Sequence, residues 1–272
     1  MRSFLLLALS VVVSAEPYEG KVISADSEKG ALTLINAKGA TQVMQVSEAD
    51  SRLEWTGKQV RGDLIESEGK LRLETIFPAD PEQLRQVAEV TDALRRETAD
   101  RGRAIRSNGD LAPAFLLWDQ SAKLVSSSSL RGKPYLLNFI FTRCRSAQMC
   151  PAATASMVSL SKALHDAGLA DKVQLISITF DPAYDSPGVL RAYAESHATD
   201  LVNHRLLTGN KQQIRDLMTQ YGITTIQADG TIVHNAATLL MNVEGRIQLR
   251  LDGPRFNSED LVPILRKQLQ AK

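Results

Sequence analysis

The sequence predicts two folded units, a small all-β barrel followed by a larger α/β unit in which helices alternate with buried strands. Three observations carry this expectation. Residues 18–77 are short alternating runs separated by turn residues, residues 84–94 switch to helical spacing, and beyond residue 111 apolar runs alternate with capped amphipathic segments. The only two cysteines, Cys144 and Cys150, fall where one such apolar run meets a helix start.

The N-terminus sets the compartment. Arg2 precedes an apolar run over residues 4–13, and Val13-Ser14-Ala15 offers small residues before Glu16-Pro17, which reads as a Sec-type signal peptide over 1–15 cut near Ala15. That run is about half the ~20 residues a spanning helix needs. No cysteine lies near the cut to take a lipid, and an uncleaved N-terminal anchor is the competing arrangement. The expected location is periplasmic or otherwise extracytoplasmic. The 272 residues can bury a real core. Their 32 basic and 31 acidic residues balance once Arg2 is lost, so no electrostatic case exists for nucleic acid or a polyanionic surface.

Residues 16–78 carry the first unit. Lys21-Val22-Ile23, Ala31-Leu32-Thr33-Leu34-Ile35 and Gln42-Val43-Met44-Gln45-Val46 are followed by runs over 60–65 and 71–77, with turns at Ala37-Lys38-Gly39 and Glu68-Gly69-Lys70. An OB-like barrel is expected. Met44 and Trp55 pair a soft donor with an indole, but the unit has no histidine or cysteine, so both are read as core. Residues 79–108 are expected to be a linker helix, with Leu84, Val87, Thr91 and Leu94 on one face and an end near Gly102.

Residues 109–272 carry the second unit. A hairpin-like lead, Phe115-Leu116-Leu117-Trp118 with Leu124 and Leu130, precedes a buried strand over 135–141. The helix from Pro151 presents Met157, Leu160 and Leu164. A strand over 173–180 ends at Asp181-Pro182, and a helix follows Asp185-Ser186-Pro187. Leu206-Leu207 leads through Thr208-Gly209-Asn210 to a helix with Ile214, Leu217, Met218 and Tyr221. A hairpin turns at Glu244-Gly245, and a Ser258-capped helix closes the chain. Strand, helix, strand, helix, hairpin, helix is a thioredoxin-like order.

Helix N-terminal amides and the macrodipole are expected to favour a thiolate at Cys150, with Pro151 starting the helix. Outside the cytosol two neighbouring thiols tend to oxidise. Phe139-Ile140-Phe141-Thr142-Arg143-Cys144, Cys150-Pro151, Phe180-Asp181-Pro182, Asp185-Ser186-Pro187, Leu207-Thr208-Gly209 and a late His234 together resemble the Sco/SenC family of thioredoxin-fold copper proteins, over roughly 109–272. The resemblance implies copper ligands at Cys144, Cys150 and His234 and a role in assembling the dinuclear copper site of cytochrome c oxidase, whose copper-bearing subunit, or another exported cuproprotein, would be the partner. It departs from the family in one respect: five residues, Arg145 to Met149, separate the cysteines where three are usual. Such a trio suits copper, because soft Cu(I) favours thiolate and an imidazole completes a three-coordinate site.

His234 is placed on a loop after Ala228-Asp229-Gly230, facing the dithiol; His165 and His197 are read as surface residues and His204 as a partly buried one. Asp181 is expected beside the site, to orient a ligand or dock a partner. Arg143 and Arg145 flank Cys144, and Met149 is read as packing. Two further functions remain open. A redox dithiol at Cys144 and Cys150 would reduce the copper-ligand cysteines of a recipient. Alternatively, the pair is a structural disulfide in a non-catalytic interaction module, contributing about 2 to 3 kcal/mol by chain entropy.

Overall fold

The computed structural model describes residues 15–67, 69–228 and 231–270, so the signal-peptide expectation lies outside the described residues except at Ala15. Five strands close a barrel in the order β1-β2-β3-β5-β4: β1 Ala15–Asp26, β2 Ala31–Asn36, β3 Thr41–Gln45, β4 Gln59–Ser67 and β5 Lys70–Pro78. Neighbours pair antiparallel except β3 and β5, which run parallel. A short helix, α1 Glu48–Ser51, bridges β3 and β4 and is capped by Ser47. Inward alternation puts Val22, Leu32, Leu34, Met44, Trp55, Val60, Leu73 and Ile76 in one fully buried cluster. Met44 and Trp55 are thus core.

Helix α2, Pro81–Arg101, starts at an Asp80 cap with Pro81 in its first turn and stops at Gly102, whose φ of 61° ends the helical path. It is packed along its length rather than spanning a gap. Leu94 enters the largest core cluster, while Gln213 and Gln220 donate to Thr91 and Thr98 at 2.8 and 2.9 Å.

The second body is a seven-stranded sheet. In chain order its elements are β6 Leu116–Asp119, β7 Leu124–Ser126, β8 Tyr135–Ile140, α3 Cys150–Asp166, β9 Gln174–Thr179, α4 Pro187–Ser196, β10 His204–Thr208, α5 Lys211–Gln220, β11 Thr225–Ala228, β12 Thr231–His234, β13 Ala237–Met241, β14 Ile247–Asp252 and α6 Ser258–Gln270. The sheet order is β14-β13-β8-β9-β10-β6-β7, with β8, β9 and β10 parallel. These central strands are almost wholly buried, as a parallel sheet covered by helices requires. The thioredoxin-like order expected from the sequence is present. One cap differs: Asn257, not Ser258, accepts the Glu259 N–H, and the Ser258 hydroxyl donates to Ser159.

Among the described residues the two bodies are in contact through several elements. Phe77 of the barrel, Val87 of α2 and Trp118 of β6 share a buried cluster, and Ala122 in the β6–β7 turn enters the barrel core. In addition α1 packs on α4, with Arg52 paired to Glu195 at 2.6 Å.

Candidate metal centre

The site forms where β8, α3 and the β11–β12 hairpin converge. β8 stops at Ile140, and the chain turns so that the Cys144 N–H donates to the Phe141 carbonyl at 3.3 Å. Cys144 therefore lies in the loop, four positions past the strand, half-buried and with a free thiol. Cys150 is the first residue of α3, after Met149 at the N-cap, and is buried and free. His234 ends β12.

A strand end is not the loop expected for His234. Ile226 and Val233 sit opposite one another on the two strands and both face solvent, so the apolar pattern there reports an exposed face. The neighbouring Ile232 packs inward against the cluster that holds Cys150. Of the turn between the strands, Asp229 and Gly230 lie outside the described residues.

One sulfur from each cysteine and a ring nitrogen of His234 lie within 4.8 Å of one another. Cys150 Sγ and His234 Nε2 are 3.4 Å apart. Metal–ligand bonds of about 2.0–2.3 Å in a trigonal site set donor separations of about 3.5–4 Å, so the trio is close to the size of one soft ion. The ring is oriented for that role. Nδ1–H donates to the Asn235 carbonyl at 2.7 Å, which leaves the Nε2 lone pair directed at the sulfurs. Phe180 and Phe141 flank the imidazole at centroid distances of 4.7 and 6.0 Å. Burial pulls its pKa below the ordinary histidine value and favours the neutral form a metal needs.

The electrostatics of Cys150 differ from expectation. Burial pushes its thiol pKa well up, and the start of α3 does not overcome that desolvation. A bound cation would supply the missing stabilisation. Metal binding then carries a proton release.

Asp181 meets the cysteine loop through Arg143. Its carboxylate pairs with Arg143 at 2.6 Å, and the Arg143 guanidinium lies 4.3 Å from the Tyr184 ring centroid. The acid that braces the cysteine loop is Asp185, fully buried, whose carboxylate accepts the Thr142 N–H at 3.1 Å and the hydroxyls of Thr142 and Thr179. In the sequence Asp185 stands in Asp185-Ser186-Pro187 before a helix, and its partners Thr142 and Thr179 come to it only in the fold. The other histidines are elsewhere: His165 pairs with Asp200, His197 stacks on Tyr193, and His204 is fully buried against Ser177.

Residues 103–270 match the family model described as SCO1/SenC. The chain belongs to the SCO1/SenC family. A SCO1 protein homolog of Bacillus subtilis is 29% identical over 137 residues, which is 49% of this chain and 69% of that protein. Among solved structures, Bradyrhizobium japonicum ScoI with copper bound is 29% identical with a TM-score of 0.51, covering 58% of this chain and 99% of that one. BsSco, described as having a disulfide switch and as a member of the Sco family of cytochrome c oxidase assembly proteins, is 25% identical with a TM-score of 0.54 over 62% of this chain and 99% of its own. The family match leaves the barrel outside it, along with all of α2. Among the described residues no helix is long and apolar enough to cross a membrane.

Proposed function

We propose that this SCO1/SenC protein is an extracytoplasmic copper metallochaperone, with copper as its cargo held by Cys144, Cys150 and His234. The observation that carries the reading is the meeting of two free thiols and one oriented imidazole nitrogen within 4.8 Å. The copper-bound ScoI relative supports the choice of metal. Transfer would proceed by ligand exchange: an incoming thiolate bonds to copper as one of the three donors leaves, with no change in oxidation state. The half-buried Cys144 gives such a ligand access. The recipient on this reading is the dinuclear copper site of cytochrome c oxidase or another exported cuproprotein.

Copper titration of the reduced protein tests the reading. One ion is expected per chain, and His234→Ala should weaken binding on the order of 100-fold, at least the loss seen when a mere supporting group is removed. Unchanged affinity in that variant sinks the assignment.

A second reading has its own support, since both sulfurs are free and BsSco is described as having a disulfide switch. In it, Cys144 and Cys150 form a disulfide while a recipient's disulfide takes up the two electrons and two protons. Cys144→Ser and Cys150→Ser would each abolish that reduction, while His234→Ala would leave it nearly intact.

The domain plan belongs to the same proposal. Residues 16–78 form an OB-like domain, which the strand order and the helix between β3 and β4 support. Residues 79–108 join it to the Sco/SenC domain of 109–272. Signal cleavage near Ala15 would leave the barrel intact, because Ala15 is the first residue of β1.

A further inference from the structure

His234 stands at the end of a hairpin that is separate from the main sheet. β11 and β12 pair with each other in a two-stranded sheet, outside the seven-stranded ladder that holds β8 beside the cysteines. An isolated two-stranded hairpin is marginally stable in water. A metal ligand at its root therefore needs an anchor to the body.

Asn235 provides one. Its Nδ2 donates to the Gly222 carbonyl at 2.9 Å, its Oδ1 accepts the Thr224 N–H at 2.8 Å, and its backbone N–H reaches the Thr224 carbonyl at 3.3 Å. The far end of this tether is rigid. Gly222 follows α5, and the preceding Tyr221 is fully buried with its ring against Phe139 and its carbonyl held by Arg250 at 2.6 Å. The Asn235 carbonyl is also the group that takes the Nδ1–H of His234. The residue that pins the root of the hairpin thus also sets which ring nitrogen carries the proton.

We propose that Asn235 is a positioning residue for the metal centre, holding the His234 imidazole over the two sulfurs with Nε2 unprotonated. It acts through His234 and is not itself a ligand. The Asn235 carboxamide pairs a donor and an acceptor that match Gly222 and Thr224 together: aspartate keeps the bond to Thr224 and loses the one to Gly222, and alanine loses both. The inference rests on the copper reading for the identity of the ion.

The test uses the full-length reduced protein. Cu(I) affinity is measured against a competing chelator for wild type, Asn235→Ala, Asn235→Asp and His234→Ala, and 15N chemical shifts of the imidazole are recorded on the metal-free chains. Asn235→Ala is expected to weaken Cu(I) binding on the order of 10- to 100-fold, the usual effect of removing a group that orients a ligand. Its ring nitrogens should move from the single Nδ1–H tautomer toward an average of both forms, with Asn235→Asp between Ala and wild type. Asn235 is exposed, so the fold should persist. If the Ala variant loses its fold, Asp is read instead. Affinity within threefold of wild type together with unchanged ring signals overturns the role of Asn235. If His234→Ala binds as tightly as wild type, it is the copper-ligand reading that fails.

Discussion

At the scale of single residues, the proposed metal ligands were visible because their chemistry is rare in this chain: two cysteines and four histidines leave few combinations. What supports them was less visible. Asp185 and Asn235 are common residue types whose partners, Thr142, Thr179, Thr224 and Gly222, come together only after folding. Burial decides the charge state of another residue. His204 is fully enclosed, so desolvation pulls its pKa from 6.5 to about 4. The unfolded chain takes up that proton near 6.5, so the stability this neutral ring confers is complete above that pH and is lost as pH falls toward 4. The loss amounts to about 3 kcal/mol on the scale of 1.36 kcal/mol per pH unit. Chemical denaturation at pH 4.5 and 7 measures it, and His204→Gln should show a flatter profile over this window than wild type.

Among the elements, helices α3, α4 and α5 were legible because each begins with a recognisable start, Pro151, Ser186-Pro187 and Asn210. The β11–β12 hairpin was not, because Ile226 and Val233 face solvent and leave Ile232 as the apolar side chain packed inward, too little to mimic a core strand. The loop from β8 to α3 is held by Asp185, which collects three donors on one buried carboxylate. Removing it strands all three. Asp185→Ala is expected to cost about 3 kcal/mol, at the usual 1–3 kcal/mol for each buried polar group left unpaired, with mutual relief among neighbours. Thr142→Val, which removes one hydroxyl, should cost about 1 kcal/mol. Urea midpoints at constant m-value give both numbers, and equal losses for the two variants would show that the carboxylate is not the hub of this loop.

For the whole molecule, the barrel was expected from alternation, but its seat on the second body could not be read from the sequence, since the contact depends on Gly188 lacking a side chain. A Cβ there would lie 2.0 Å from Asp50 Oδ1, and the other two close atoms, Cγ and Oδ2, belong to the same carboxylate. Gly188→Ala is expected to destabilise the protein by about 1–3 kcal/mol through overpacking at the α1–α4 contact. Asp50→Ala removes all three clashing atoms, so the double variant should recover most of that loss, and simple additivity in thermal unfolding would refute the contact. Asp50 titrates in the opposite sense to His204. Burial raises its pKa to about 6, so its contribution is fully present below about 3.8 and declines as pH rises through 6. The two buried groups partly offset one another in mildly acidic solution. Finally, both sulfurs ride on the main body while the imidazole rides on a strip with a ladder of its own. On the chaperone proposal such a division would order the unloading: release of the Asn235 tether would free the ring first, leaving the ion on a two-sulfur perch with one open face for the acceptor to occupy.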